Sequence, residues 1–300
     1  MTIELYQADC LEWLKSQPTN SLDLVITSPP YENRRKYAEL DFSLYGQKWV
    51  DWCVERWIEC NRVCKGLVAW VVEGKTEKFQ WSATPALLMA DLHRAGIKLR
   101  KPPAYCRSGI PGSGGPDWLR NDFELIVCSS KGRLPWSDNT AVGHIPKWAP
   151  GGEMSYRQRD GARRNKWGKS PKQVSGTSGN RNRDGSRDDL VRPGDDEAVS
   201  VHVGPEYVAP ALANPGNLIK VSVGGSRMGH PLAHENKAPF SLELAKFFVK
   251  SFCPPGGIVA DIFAGSSTTG QACMENGRNY VGIDLRMSQI ELSKRRLGLT

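Results

Sequence analysis

The fold is decided by residues 257–270, which read GIVADIFAGSSTTG. The apolar run 258–263 predicts a buried parallel strand, the small residues after it predict a tight turn, and residues 269–276 predict a helix. This order forms a ligand cradle, because free backbone N–H groups and the positive end of the helix dipole point at the turn. The loop has no lysine, which argues against a phosphate-gripping loop and against hydrolysis of nucleoside triphosphates.

A second strand that ends in an acid follows this helix. Residues 279–284 read NYVGID, and Asp284 comes about 20 positions after Gly265. An acid at that spacing grips a ribose diol in folds of this kind. Glycine-rich turns are common in α/β proteins, but a turn and an acid at this spacing together indicate an adenosine-containing cofactor.

A rigid turn lies near the other end of the chain, where residues 27–31 read TSPPY after the apolar run 24–26. Two consecutive prolines lack N–H donors and restrict φ, so the chain leaves the sheet in a stiff turn whose carbonyls can accept hydrogen bonds. Alone, this pattern is more simply a Pro-Pro turn with a packing tyrosine. Beside a cofactor cradle, it indicates a holder for a planar ring that bears an amino group.

Together these residues resemble the DNA amino-methyltransferases that use S-adenosylmethionine. The family pattern is (Asp/Asn/Ser)-Pro-Pro-(Tyr/Phe) for catalysis and a Phe-x-Gly-x-Gly-like loop for the cofactor. TSPPY matches the first pattern fully, while Ser267 replaces the usual final glycine of the second and Ile262 stands where proline is common. The catalytic motif precedes the cofactor motif, with a long insert between them, as in the circularly permuted beta class. The resemblance covers residues 1–132 and 230–300.

The resemblance implies two sets of site residues. The catalytic set is Ser28, Pro29, Pro30 and Tyr31. Asp9 resembles the adenine-side acid of the family, and residues 234–240 resemble the element that closes over the methionine part. The whole cofactor set comprises Asp9, Cys10, Thr27, Lys237, Asp261, Phe263, Gly265, Ser266, Ser267, Thr268 and Asp284. Residues 120–124, which read RNDFE, resemble a segment that lines the base pocket, with an Arg–Glu surface pair as the alternative.

The implied reaction is transfer of a methyl group to the exocyclic amino group of a base flipped out of DNA. Ser28 Oγ and the Pro29 carbonyl would accept the amino N–H bonds, Tyr31 would stack on the base, and the methyl would move by in-line displacement. TSPPY is similar to the cytosine-N4 signature, which favours cytosine N4, with adenine N6 as the alternative. Rival functions are methylation of RNA or of a protein glutamine, and DNA binding without catalysis.

Positive charge is concentrated in one stretch of the chain. The net charge is +8, and residues 147–192 carry about a dozen Lys or Arg against about five acids. Because Trp148, Tyr156 and Trp167 interleave with the arginines, we interpret this stretch as a DNA-clamping insert rather than a solvated linker. The DNA-contacting residues are expected to be Arg34, Arg35, Arg157, Arg163, Arg164, Lys166, Arg181 and Arg183.

Strands are predicted at 2–7, 23–27, 66–72, 97–106, 123–129, 257–263 and 279–284, and helices near 9–16, 47–64, 82–95, 240–252, 267–277 and 286–296. This alternation predicts an α/β, Rossmann-like fold with a mainly parallel sheet and helices on both faces, circularly permuted. The predicted division is a catalytic half at 1–132, a basic target-recognition insert at 133–230 and a cofactor-binding half at 231–300.

Partners and location follow from composition and from the resemblance. The chain has eight cysteines without a CxxC spacing and five histidines without a partner motif, so we expect reduced buried thiols and no metal. Without a signal peptide or an apolar spanning run, we expect a soluble protein, bacterial or phage-encoded, in the cytoplasm at the nucleoid. Double-stranded DNA is the expected partner, and we also consider a cognate restriction endonuclease and a homodimer formed through the tryptophan-rich helix 47–64.

Overall fold

The structure is a computed structural model that describes residues 1–32, 43–108, 117–144, 212–222, 230–235 and 241–299. The chain divides into two compact units, Met1–Val142 with Pro215–Thr300, and Gly143–Asn214. The described part of the second unit is confined to its two ends, where His144 and Ala213 form an antiparallel bridge. The elements below all belong to the first unit.

The helices and strands of the described residues follow the alternation that the sequence predicts. The strands are β1 (Ile3–Gln7), β2 (Leu22–Thr27), β3 (Cys64–Val72), β4 (Thr76–Glu77), β5 (Gln80–Trp81), β6 (Leu99–Arg100), β7 (Ala104–Ser108), β8 (Phe123–Ser129), β9 (Leu218–Ser222), β10 (Ile258–Asp261) and β11 (Asn279–Asp284). The helices are α1 (Cys10–Ser16), α2 (Gln47–Val63), α3 (Thr84–Arg94), α4 (Leu242–Phe252), α5 (Thr268–Glu275) and α6 (Met287–Leu297), and a 3-10 helix spans Pro231–Glu235.

One mixed sheet organises the unit, in the order β1-β11-β10-β2-β3-β8-β7-β9, with β6 paired to β8. The strands from β1 to β3 in this order are parallel, whereas β8 is antiparallel to its neighbours β3 and β7. Strand β10 lies directly beside β2, with Val259 opposite Leu24. The predicted α/β fold with a mainly parallel sheet is therefore confirmed, as is the expected neighbourhood of the two motif-bearing strands.

The sheet has a hydrophobic core on each face. Leu24 and Ile26 of β2 belong to one core with Phe248 of α4, while Val25 belongs to the other with Trp57 of α2. This division follows from strand geometry, because successive side chains point to opposite faces. The helices thus cover both faces, as the sequence predicts.

The tryptophans of α2 bear on the expected dimer contact through this helix. Trp49 and Trp57 are fully buried in the core, and Trp57 packs against Trp70 at 4.8 Å between ring centroids. They are needed inside the unit because the long helix covers the centre of the sheet. The prediction of a dimer contact through this helix therefore loses its basis in tryptophan content.

One further prediction about the elements was wrong. The strand expected at 97–106 is split into β6 and β7, because Pro102 and Pro103 lack the N–H groups that a continuous ladder needs. The insert expected at 133–230 supplies a sheet strand, β9, which pairs in parallel with β7. Strand β9 was missed because its five residues lie alone in a glycine-rich stretch.

Within the described ranges, every helix is too short or too polar to cross a membrane. The same residues contain no group of three or more His, Cys, Asp or Glu side chains suited to a metal ion. The eight cysteines are free, and all except Cys106 are buried.

Candidate active site

The predicted site residues meet at one edge of the sheet. Strands β1, β11, β10, β2 and β3 are parallel neighbours, so their carboxyl ends lie side by side. The groups at these ends are, in sheet order, Asp9, Asp284, the loop 262–267, the turn 28–31 and Glu73. Strand β8 begins at the same edge, since Leu125 pairs with Val72.

The turn 28–31 offers hydrogen-bond acceptors. Ser28 Oγ donates to the Val71 carbonyl at 3.2 Å and also lies 3.4 Å from Tyr31 Oη. Because the hydroxyl proton is engaged, the oxygen lone pairs are left to accept, and no other described residue donates to them. The Pro29 carbonyl likewise has no donor among the described residues, whereas the Pro30 carbonyl accepts from Trp49 Nε1 at 2.8 Å.

Tyr31 is fixed in orientation by its hydroxyl. Tyr31 Oη donates to Glu124 Oε2 at 3.0 Å, and Arg107 Nη1 lies 3.0 Å from Glu124 Oε1. Burial and the Glu124 charge raise the pKa of Tyr31 well above its ordinary value, so the phenol stays neutral. The segment 120–124 thus contributes Glu124 to this site, while Arg120 pairs with Asp122 instead of forming the alternative Arg–Glu pair.

The sequence did not predict that Arg107, Glu124 and Glu73 lie together beside the turn. Glu124 and Arg107 lie on strands remote in sequence from the turn. Glu73 is a second carboxylate, buried to 7% exposure, whose Oε1 accepts from Gly74 N at 2.8 Å and Trp81 Nε1 at 3.3 Å. The signal for Glu73 was present, because it directly follows the apolar strand β3 as Asp284 ends β11.

Asp261 joins the cofactor strand to the catalytic strand. Thr27 Oγ1 donates to Asp261 Oδ1 at 2.5 Å, and Thr269 Oγ1 donates to Oδ2 at 2.8 Å. Burial raises the pKa of this carboxyl to about 6, although the two threonine hydrogen bonds oppose the shift. Both residues were expected to bind the cofactor, but Thr27 and Asp261 are buried and bonded to each other. They position the two loops relative to each other.

Ser267 takes the place of the usual glycine and adopts its conformation. Its φ is 54°, in the left-handed region that favours glycine. The residue is fully buried, its Oγ donates to Ser293 Oγ at 2.8 Å, and Tyr280 Oη donates to it at 3.2 Å. Its hydroxyl therefore bonds to the core, and the expected role of Ser267 at the cofactor stays a prediction for its backbone.

Arg296, on α6, supports the loop and was not expected from the sequence. Its Nη1 donates to Ser266 Oγ and Thr268 Oγ1, both at 2.9 Å, and the residue is only 6% exposed. Burial lowers the pKa of its guanidinium to about 10. Through these bonds the Ser266 and Thr268 hydroxyls connect the loop to α6, and the expected cofactor binding by the two residues stays a prediction. Helical spacing on α6 could have indicated the burial of Arg296, because this residue lies three positions after the buried Ser293 and therefore on the same helix face.

The remaining cofactor set lies on the cradle itself. Asp284 Oδ2 accepts from Gly265 N at 3.1 Å, and its Oδ1 accepts from Arg286 N at 3.0 Å. Phe263 stacks on Trp52 at 5.5 Å between ring centroids. The Ser266 backbone N–H has no acceptor among the described residues. An acid, a free N–H and an aromatic face side by side suit a nucleoside.

Asp9 and Cys10 lie after β1, at the outer end of the sheet edge that carries the site, and both make contacts within the protein. Asp9 caps α1, because its Oδ1 accepts from Leu11 N at 2.8 Å and Glu12 N at 3.3 Å. Its other oxygen lies 3.7 Å from Arg56 Nη2. Cys10 is buried, and burial raises the pKa of its thiol to about 11, so it remains a neutral thiol.

Several expected contacts fall outside the described residues. They are the cofactor residue Lys237 and the DNA residues Arg34, Arg35, Arg157, Arg163, Arg164, Lys166, Arg181 and Arg183.

Residues 22–295 match the family described as DNA methylase, N6_N4_Mtase. The chain belongs to this DNA methylase family. It is 25% identical to the orphan methyltransferase M.BamHII of Bacillus amyloliquefaciens, over 92% of this chain and 89% of that protein. It is 23% identical to the DNA adenine methyltransferase YhdJ of Escherichia coli, over 98% and 82%. It is also 24% identical to the type II methyltransferase M.ScaI of Streptomyces caespitosus, over 98% and 80%.

Solved structures share the fold of this DNA methylase. The PvuII cytosine-N4-specific DNA methyltransferase superposes with a TM-score of 0.64 at 19% identity, covering 99% of this chain and 86% of that one. A DNA modification methylase of Thermus thermophilus, solved in complex with S-adenosyl-L-methionine, gives a TM-score of 0.56 at 19% identity, over 99% and 95%. The expected activity as a DNA methyltransferase, at cytosine N4 or adenine N6, is confirmed at the level of the family, and with it S-adenosyl-L-methionine as the cofactor.

Proposed function

We propose that this DNA methylase modifies the exocyclic amino group of a flipped base in duplex DNA, with cytosine N4 as the target and adenine N6 as the alternative. The observation that carries the proposal is the pair of free acceptors, Ser28 Oγ and the Pro29 carbonyl, beside the cofactor cradle. The chain order, with the catalytic turn before the cofactor loop, supports the TSPPY type of the circularly permuted beta class.

The catalytic turn acts on the amino nitrogen. That nitrogen is a poor nucleophile, because its lone pair is delocalised into the ring of the base. Acceptance of its two N–H bonds by Ser28 Oγ and the Pro29 carbonyl favours a pyramidal nitrogen with a localised lone pair. Since the Ser28 proton is held by Val71, the serine meets the amino group as an acceptor.

Tyr31 provides the stacking surface for the flipped base. The bond from its hydroxyl to Glu124 fixes the ring before DNA arrives. A ring that is already ordered loses less conformational freedom when the base stacks on it. Pro30, whose carbonyl accepts from Trp49, keeps the turn rigid rather than touching the base.

The cradle residues Asp284, Gly265, Ser266 and Phe263 would hold S-adenosyl-L-methionine. When bound, this cofactor supplies an electrophilic methyl group on a sulfonium sulfur. Asp284 would accept from the ribose hydroxyls, the Ser266 N–H would donate to the cofactor, and Phe263 would cover its adenine ring. Asp9 and Cys10 would border the same adenine at the end of β1.

The insert between the two halves, 133–230 in the sequence division, is proposed to read the DNA target. Its support is the concentration of arginine with aromatic residues in this stretch.

Similarity to type II methyltransferases supports a cognate restriction endonuclease as a partner. We also propose that the protein acts on the nucleoid in the bacterial cytoplasm, where such DNA lies, and keep a homodimer as a proposal that light scattering tests.

The test is to incubate the protein with mixed-sequence duplex DNA and isotopically labelled S-adenosyl-L-methionine and to identify labelled nucleosides by mass spectrometry. We expect N4-methylcytosine. N6-methyladenine would select the alternative base. Label found only in RNA or in a protein glutamine would overturn the proposal in favour of those substrates. DNA binding without any labelled product would indicate a protein that has lost catalysis.

A further inference from the structure

The hairpin formed by β4 and β5 presents an exposed aromatic ring at a strained tip. The strands pair Thr76 with Trp81 and Glu77 with Gln80, which leaves Lys78 and Phe79 as the two-residue loop. The φ values of these two residues are 49° and 64°, both in the left-handed region. Phe79 is 82% exposed.

This tip is unfavourable for the hairpin itself. A two-residue loop with positive φ at both positions normally uses Asn-Gly or Gly-Gly, because a side chain in this conformation clashes with the backbone. A phenylalanine here strains the backbone and also exposes an apolar ring to water. Backbone strain of this kind concentrates at functional sites.

The hairpin is anchored to the catalytic turn. Glu32, which directly follows Tyr31, is 1% exposed, and its Oε2 accepts from Ser82 Oγ at 2.5 Å and Lys75 N at 3.3 Å. One carboxylate therefore holds both legs of the hairpin. Trp81 adds a second anchor through Glu73, and its ring packs so closely on Gly74 that an added Cβ would lie 2.3 Å from Trp81 Nε1.

The hairpin also lies beside the catalytic turn, at the carboxyl end of β3. It starts four residues after the end of β3, the strand whose Val71 carbonyl accepts from Ser28. Lys78, beside the ring, forms no ion pair with another described residue. An exposed ring and a neighbouring ammonium group on an anchored hairpin match the chemistry of a nucleic acid, with a stacking surface and a nearby phosphate.

We propose that Phe79 inserts into the DNA stack next to the target base and fills the space that the flipped base leaves. The inference rests on the proposed function and names the device by which the duplex is opened. Unstacking a base costs free energy, and an apolar side chain wedged into the step offsets part of that cost. Lys78 contacts a phosphate beside the opened step.

The test compares a paired and an unpaired target. Methylated positions are first mapped on plasmid DNA, and two duplexes are then made around one mapped site, one fully paired and one with a mismatch opposite the target base. We expect Phe79→Ala to lower kcat/KM on the paired duplex by about tenfold or more, within the range of one lost base–aromatic stack. On the mismatched duplex, where opening is already easy, the loss should be much smaller.

Two further variants separate the wedge from hairpin folding. Phe79→Gly removes the ring while relieving the positive φ, so we expect higher thermal stability together with the same loss on paired DNA. Phe79→Trp should keep most of the activity. Equal losses on both duplexes, or full activity of Phe79→Gly, would overturn the proposal. A lowered mass of Phe79→Ala in light scattering would assign the ring to contact with a second copy. If the wild-type protein methylates no position of the plasmid, the proposed function fails instead.

Discussion

In the cofactor loop 262–267 and the helix start that follows it, side-chain hydroxyls are bonded to protein partners: Ser267 to Ser293, and Ser266 and Thr268 to Arg296. In the catalytic turn 28–31, the acceptor groups of Ser28 and Pro29 have no donor among the described residues. The two regions end neighbouring strands, yet the first uses its side chains to shape a backbone and the second presents its acceptors to a substrate. Small polar residues of the same type therefore have different roles, depending on whether a protein group already occupies their hydrogen-bonding atoms.

The largest effect should come from the catalytic turn. Ser28→Ala removes one of the two acceptors for the amino group, and we expect the single-turnover rate to fall about 10²- to 10³-fold. Ser28→Asp restores an acceptor and should recover part of the rate. Ser16→Ala, on the exposed surface of α1, is the matched control and should behave as wild type. A Ser28→Ala protein at nearly full rate would assign the serine to packing only.

Arg296 tests the loop side of the comparison. Arg296→Met leaves the Ser266 and Thr268 hydroxyls without their partner, so we expect the free energy of unfolding to fall by about 2 to 3 kcal/mol and cofactor affinity to fall with it. Arg295→Met removes the exposed neighbour, which pairs with Glu235 at 2.6 Å, and serves as the control. Urea unfolding measures both variants. Equal effects of the two substitutions would show that Arg296 is not a special support of the loop.

Asp261 links the two regions, and its effect depends on pH. Because its pKa is raised to about 6 in the folded protein, the stability that the protonated carboxyl contributes is present below about pH 4 and is lost as the pH rises through 6. The loss amounts to about 2 to 3 kcal/mol. The difference in unfolding free energy between wild type and Asp261→Asn should therefore change over this window. A difference that stays constant across this window would contradict the raised pKa of the buried carboxyl.

The smallest effect should occur at Ser267. Ser267→Gly relieves the positive φ but loses two hydroxyl contacts, and these changes should cancel to within about 1 kcal/mol. Ser267→Ala keeps the strain and loses the contacts, so it should be the less stable of the pair. Thermal unfolding of both variants gives the comparison, and a Ser267→Ala protein as stable as Ser267→Gly would show that the backbone is relaxed at this position.

The sequence was most informative where chemistry lies at strand ends. TSPPY, the loop after β10 and Asp284 could be placed together because parallel neighbours end at one edge. The role of each residue within that set was harder to predict. The sequence does not show whether the side chain of a serine in such a loop faces a cofactor or a core residue such as Ser293. Glu124 and Arg107 reach Tyr31 only through antiparallel pairing of β8 and β7, which no local pattern encodes. Arg296 stands in the charged run KRR at the end of α6, and only the packing of this helix reveals its burial.

The most direct test of the contrast between loop and turn measures binding and chemistry separately in the same variants. S-adenosyl-L-methionine affinity is determined by titration calorimetry, and methyl transfer by single-turnover kinetics, for wild type, Ser28→Ala and Arg296→Met. We predict that Ser28→Ala binds the cofactor as tightly as wild type but transfers its methyl group slowly, while Arg296→Met loses affinity. A Ser28→Ala protein with weakened cofactor binding, or an Arg296→Met protein with unchanged binding, would contradict the assignment of chemistry to the turn and of support to the loop.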